Sequence, residues 1–174
     1  MISVMFVDVR GFTAMAERLS PADVAERLNR FYALATDAVF RRDGTLDKLV
    51  GDQVMAFFGA PIDQRDHARR AVETALEIVR DVMAEEEGLQ VGAGVASGEA
   101  FVGNVGGGGV ADYTALGDTV NTAARLQGAA AAGEILLTEE SYAPVAERFP
   151  DAGRRELELK GKTGTVTARV IGAA

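Results

Sequence analysis

Apolar residues run unbroken from Ile2 to Val7 and stop at Asp8, the pattern of a short strand buried on both faces. The period then lengthens. Val24, Leu28, Phe31, Ala35 and Ala38 recur every three or four positions, which predicts a helix with one apolar face. Ser20-Pro21-Ala22-Asp23 starts it, with Ser20 as N-cap and Pro21 at the first helical position, and it should run to about Arg41. Thr45 to Val50 and Val54 to Phe58 read as two strands joined at Gly51-Asp52. Residues from about Asp66 to Glu86 return to helical spacing until Gly88 stops them. Gln90 to Ser97 and Ala100 to Val105 read as a second hairpin around Gly98-Glu99.

Gly106 to Gly109 is predicted to be a flexible loop or arm holding no regular element. A short strand at Asp112 to Leu116 follows, then a helix from Asp118 to about Gln127, a strand at Glu134 to Leu137 and a helix from Thr138 to about Arg148. Strands at Arg154 to Leu159 and Val166 to Ile171 close the chain around Lys160-Gly161-Lys162-Thr163-Gly164. Strand hairpins alternate with crossover helices. The predicted fold is therefore α/β of the α+β kind: a ferredoxin-like βαββαβ core, a mixed and mostly antiparallel sheet with helices packed on it, and an extra C-terminal βαββ portion. Neither an internal repeat nor a domain linker interrupts residues 1–174, so one domain is expected.

Composition narrows the chemistry. The 174 residues carry 18 Lys plus Arg against 26 Asp plus Glu, a net charge of −8, which argues against a broad nucleic-acid surface. With 48% hydrophobic and 25% charged residues the chain should fold around a sizeable core. It has no cysteine and a single histidine, His67, so disulfides, thiolate chemistry and multi-His metal sites are excluded. His67, beside Asp66 and Arg69, reads as a solvated helix start. The opening apolar run is far shorter than the roughly 20 residues of a membrane span, so a soluble, cytoplasmic domain without membrane contact is expected. A strand beginning at the second residue is consistent with a domain cut from a longer protein that carries a regulatory part.

Asp8 at the end of a buried strand and Asp52 in a hairpin turn would converge if those strands are neighbours. Two carboxylates without His or Cys suit a hard cation such as Mg²⁺, which takes its other ligands from water and phosphate. Gly11 and the helical stretch from Phe12 follow directly, and their backbone N–H groups could receive a phosphate chain. Taken singly, each Asp is also an ordinary helix cap or turn residue. Asn121 and Arg125 are four apart on one helix face, where an Arg fork can meet phosphate oxygens or simply water. Lys160 and Lys162 form one basic loop, which fits either a phosphate contact or the protection of a sheet edge.

Three segments taken together are more specific. Phe6-Val7-Asp8-Val9-Arg10-Gly11-Phe12-Thr13, Lys48-Leu49-Val50-Gly51-Asp52-Gln53-Val54-Met55-Ala56-Phe57 and the stretch from Tyr113-Thr114-Ala115-Leu116-Gly117-Asp118 through Asn121 and Arg125 to Leu126 strongly resemble the class III nucleotidyl cyclase catalytic domain, in that family's order and over residues 2 to 171. By this resemblance Asp8 and Asp52 hold two Mg²⁺ or Mn²⁺ ions, with the Val9 carbonyl assisting one. Gly11, Phe12 and Thr13 lie along the phosphates, Asn121 orients the ribose, Arg125 stabilises charge at the α-phosphate, and Lys160 holds the terminal phosphates. Lys48 and Thr114 occupy the positions that read the base, where guanylate cyclases carry Glu and Cys. Lysine can only donate and so suits N1 of adenine, while a threonine oxygen can accept from the exocyclic amine.

The resemblance implies an adenylate cyclase that converts ATP to 3′,5′-cyclic AMP and pyrophosphate in a head-to-tail homodimer, with metals on one subunit and Asn and Arg from the other. The alternatives are a guanylate cyclase and an inactive nucleotide-binding or dimerisation module. Gly107, Gly108, Gly109 and Val110 stand where many members have a basic residue, and Thr114 stands where animal members have Asp.

Overall fold

The computed structural model describes residues 1–107, 110–158 and 165–172. Strand β1 (Ile2–Val9) is followed by a short helix α1 (Phe12–Ala16) and the long helix α2 (Pro21–Phe40). Strands β2 (Thr45–Val50) and β3 (Gln53–Phe58), helix α3 (His67–Ala84) and strand β4 (Val91–Gly98) complete the first half. The second half contains β5 (Phe101–Gly107), β6 (Val110–Leu116), α4 (Asp118–Ala129), β7 (Glu134–Leu137), α5 (Glu139–Tyr142), a 3-10 turn (Ala143–Val145), β8 (Gly153–Glu158) and β9 (Thr165–Gly172).

Seven strands form one sheet in the order β2-β3-β1-β4-β7-β9-β8. Its first four strands have the ferredoxin-like order, with β1 antiparallel to both β3 and β4. β4 and β7 run parallel, while β7, β9 and β8 extend the sheet by antiparallel pairing. The fold is thus the expected α+β type with a mostly antiparallel sheet.

Because β1 is central, both of its faces are covered, which explains its unbroken apolar run. Met5, Val7 and Val9 pack with Phe31, Ala35 and Val39 of α2 and with Val72, Ala75, Ile78 and Val79 of α3. Ile2, Val4 and Phe6 point the other way, into a smaller cluster with Met55, Phe57, Ala96, Ala115 and Ala123 of α4. Helix α4 sits directly on β4. A Cβ at Gly94 would lie 2.2 Å from the Gln127 nitrogen and 2.4 Å from the Ala123 oxygen, so no larger residue fits that contact.

Helix α2 begins as expected, with the Ser20 side chain accepting from Asp23 N–H and Pro21 in the first turn. Four expectations need correction. β4 and β5 are not a hairpin: β1 and β7 already occupy both edges of β4, and β5 turns away to pair with β6 in a separate two-stranded ribbon. Gly106 and Gly107 belong to that ribbon, paired with Ala111 and Val110, because ladder hydrogen bonds come from the backbone and need no side chain. Gly108 and Gly109 lie outside the described residues. The helix predicted over 138–148 stops at Tyr142, since Pro144 has no N–H to donate to the carbonyl one turn back.

His67, read as a solvated helix start, is instead half-buried and hydrogen-bonds through Nδ1 to the buried Ser3 hydroxyl at 2.8 Å. Ser3 continues to Ser97, Ser97 to Ser141 and Ser141 to Thr138, a hydroxyl chain between the start of β1 and the cap of α5. Burial and the nearby N-terminal ammonium hold the His67 pKa below its ordinary value.

Candidate active site

Strand alternation places Asp8 on the same face of β1 as Ile2, Val4 and Phe6, the face covered by α4. Asp52 arrives from the β2–β3 turn, where Gly51 takes the left-handed φ of 60° that a tight hairpin requires. Two bonds fix this turn against the end of β1. Val9 N–H donates to the Asp52 carbonyl at 3.1 Å, and the Tyr32 hydroxyl of α2 donates to the Gly51 carbonyl.

The two carboxyl groups therefore meet. Burial, followed by the charge of Asp52, raises the Asp8 pKa above the ordinary carboxylate value. Asp8 Oδ2 accepts from Gln127 Nε2 at 3.0 Å and lies 3.7 Å from Arg10 Nη2. Asp8 Oδ1 is buried and makes no hydrogen bond. Arg10 reaches only Oδ2, and an oxygen without a partner beside a second carboxylate is a place that a divalent cation fits. Among the described residues no set of three or more His, Asp or Glu side chains forms a full cage for a metal. Asp8, Asp52 and the Val9 carbonyl would hold such an ion from one side, leaving its other positions to water and phosphate.

Gln127 and Arg10 escape a reading by motif alone. Gln127 is almost fully buried, takes Gln53 Nε2 on its own side-chain oxygen at 3.3 Å, and its main-chain carbonyl accepts from Arg10 Nη2 at 3.2 Å. The available signal was its place on the α4 stripe of Thr119, Thr122, Ala123 and Leu126, all of which are buried. Gly11, Phe12 and Thr13 follow Asp8 at the uncapped start of α1, with Gly11 and Thr13 exposed.

Lys48 and Thr114 are brought together as well. A β-bulge between Leu46 and Lys48 sets Lys48 opposite Met55, on the α4 side of the sheet. The Thr114 hydroxyl of β6 donates to Asp47 Oδ2 at 2.6 Å, and the Ala115 N–H donates to the same oxygen at 3.2 Å. Lys48 Nζ lies 3.1 Å from Asp47 Oδ1 and 3.7 Å from Asp112. Its pKa is raised, first by the hydrogen bond to Asp47 and then by the two negative charges.

Asn121 and Arg125 do not share the helix face that meets Asp8. Both lie on α4, as does Gln127, but a helix turns about 100° per residue, so Arg125 points some 160° away from Gln127. Asn121 is exposed and Arg125 half-exposed, and among the described residues neither side chain has a hydrogen bond or ion pair. Lys160 lies outside the described residues.

A mostly antiparallel sheet with helices packed on it, as here, is the fold of nucleotidyl cyclase catalytic domains. The chain matches the adenylate and guanylate cyclase catalytic domain over residues 1–172 and belongs to that family. Domains of this family typically act as dimers, bind nucleotide and generally use divalent metal ions. The guanylyl cyclase Cya2 superposes with a TM-score of 0.88 at 30% identity, over 99% of this chain and 92% of that one. The adenylyl cyclase CyaB from P. aeruginosa does so at 0.85 and 31% identity, over 99% and 94%. Adenylate cyclase 1 of Rhizobium meliloti is 34% identical over 135 residues, 73% of this chain and 20% of that protein. The chain spans between 20% and 23% of the length of the curated relatives named first among its matches. Among the described residues no helix is long and apolar enough to cross a membrane.

Proposed function

We propose that this chain is the catalytic domain of an adenylate cyclase, which converts ATP to 3′,5′-cyclic AMP and pyrophosphate in a head-to-tail homodimer. The observation that carries the choice of ATP is the side-by-side placement of Lys48 and Thr114, a group that only donates next to a hydroxyl. This pair matches the ring nitrogen and exocyclic amine of adenine.

In this reading Asp8, Asp52 and the Val9 carbonyl would hold two Mg²⁺ or Mn²⁺ ions, which would supply Lewis acidity and neutralise the phosphates. Gly11, Phe12 and Thr13 border the phosphate chain, and Lys160 holds its terminal groups. Asn121 holds the ribose so that its 3′-oxygen lies in line with the α-phosphorus. As the new O–P bond forms and the bond to pyrophosphate breaks, Arg125 stabilises the charge gathering on the α-phosphate oxygens. No protein general base is nominated for the 3′-hydroxyl proton, since none of the matched residues is an evident one.

The homodimer is supported by the opposed faces of α4. Gln127 serves Asp8 of its own subunit, so the outward Asn121 and Arg125 suit the site of a partner. The β5–β6 ribbon also exposes Phe101, Tyr113 and Leu116, apolar surface of the kind a subunit covers.

Mixing Asp52→Ala with Asn121→Ala protein tests this arrangement. Each variant alone should be inactive, and the mixture should recover about one quarter of wild-type activity, because random pairing leaves one intact site in every heterodimer. No recovery from a mixture shown to form heterodimers refutes shared sites. Parallel assays with ATP and GTP test the substrate, and a preference for GTP overturns the adenylate reading.

A further inference from the structure

We propose that Asp47 is the positioning residue that gives this site its preference for a 6-aminopurine, by consuming the Thr114 proton so that the hydroxyl can only accept. The inference rests on the adenylate reading above and names a residue for which neither the motifs nor that reading gives a role toward the base.

A threonine hydroxyl is ambivalent, with one proton to give, two lone pairs to receive, and free rotation between those uses. Left to itself beside Lys48, it could accept from the amine of adenine or donate to the 6-oxo group of guanine. It would select neither. Asp47 removes that freedom: its side chain is fully buried, and its Oδ2 receives the Ala115 N–H at 3.2 Å together with the Thr114 hydroxyl at 2.6 Å. A backbone N–H can only donate, so Oδ2 acts there as an acceptor, and the hydroxyl that shares it must direct its proton to it. The outward side of the Thr114 oxygen is left with lone pairs alone.

The same carboxylate anchors the other half of the pair, with Lys48 Nζ 3.1 Å from Oδ1. An ammonium that only donates thus stands beside an oxygen that only accepts. A purine with an unprotonated N1 and a 6-amino group satisfies both. A purine with N1–H and a 6-oxo group sets donor against donor and oxygen against oxygen, and a site built around a specific polar pattern discriminates by leaving such groups unpaired.

The placement depends on the bulge. In a regular strand neighbouring residues point to opposite faces, so Asp47 and Lys48 could not serve the same side. The register break between Leu46 and Lys48 turns both toward β6, where Thr114 lies.

The test begins with the wild-type protein and three triphosphates besides GTP: ATP, purine riboside triphosphate, which carries hydrogen at position 6, and ITP, which carries an oxo group there. An oxygen that only accepts predicts kcat/KM in the order ATP, then purine riboside triphosphate, then ITP, because a missing partner costs less than a repelling one. ITP used as well as purine riboside triphosphate overturns the inference.

Two variants then address Asp47 itself. Asp47→Ala releases the Thr114 proton and should lower the ATP-to-GTP ratio of kcat/KM about tenfold or more, the worth of one polar contact of about 1.4 kcal/mol. Asp47→Asn keeps an oxygen that accepts from Thr114 and should hold that ratio within about threefold of wild type, even if both rates fall. Equal loss toward ATP and GTP in Asp47→Ala would mean that Asp47 merely supports the fold. Preference of the wild type for GTP sinks the adenylate reading, whereas an ATP preference untouched by Asp47→Ala sinks this inference alone.

Discussion

The two faces of α4 treat their polar residues in opposite ways. On the inner face Gln127 is buried, donates to Asp8, and receives Gln53 and Arg10 on its side chain and main chain. On the outer face Asn121 and Arg125 meet solvent and have no polar partner among the described residues. The inner face builds an anionic half-site that one chain completes in geometry but not in charge. The outer face carries donors that meet no acceptor among the described residues. In the proposed homodimer one helix would serve two sites at once, its own carboxylates on one side and a partner's nucleotide on the other.

The carboxylate end should be the most sensitive part of this contrast. Asp52→Ala is expected to lower kcat with Mn²⁺ by about three orders of magnitude, the scale of several kcal/mol of electrostatic help. Circular dichroism should be unchanged, because a turn carboxylate next to another carboxylate does not support the fold. Activity within tenfold of wild type would break the assignment.

Comparing the two faces directly gives an intermediate effect. Arg125→Ala should cost about 10²–10³-fold in kcat while shifting stability by less than about 0.5 kcal/mol, as an exposed side chain does. Gln127→Ala should reverse the balance, with a loss of about 1–2 kcal/mol in chemical denaturation from the vacated buried contacts and a smaller fall in rate. Similar profiles for the two variants would show that the faces are not distinct.

The smallest effect concerns Asp8 in the absence of metal. Its pKa is raised in the folded protein, first by burial and then by Asp52, so between the ordinary value and the raised one the native state binds more protons than the unfolded chain. Stability attributable to Asp8 is therefore complete at low pH and is lost as pH rises through that window. Asp8→Asn removes the dependence. With a chelator present, this variant should melt above wild type at pH 7 while losing activity. The difference should vanish below the ordinary carboxylate pKa, and a constant difference across pH would refute the cause.

Local signals account for much of the architecture. The Ser20-Pro21 start of α2, the Gly51-Asp52 turn and the doubly buried β1 all follow from patterns a few residues long, and each has its predicted place. Pro144 shows a local signal outweighing a longer one, since one missing N–H ends a helix that the spacing of residues 138–148 would continue. Strand partnership is different. β5 follows β4 after two residues, yet whether they pair depends on which distant strands already hold the edges of β4.

The same division runs through the site. Asp8, Asp52, Asn121 and Arg125 can be nominated from the chain because their motifs are contiguous and their spacing fixes which helix or strand face they share. The sequence by itself therefore determined the family, the βαββαβ core and the residue types available for chemistry. Tertiary structure alone decided that Asp8 keeps an unpaired buried oxygen, that Gln127 and not Asn121 faces it, and that His67 ends a buried hydroxyl chain. It also decided, through one bulged residue, that Asp47 stands behind Lys48 and Thr114. The physical reason is range: hydrophobic period, caps and turns act over a few residues, whereas burial, unpaired charge and hydroxyl direction are set by groups that meet only when distant segments pack.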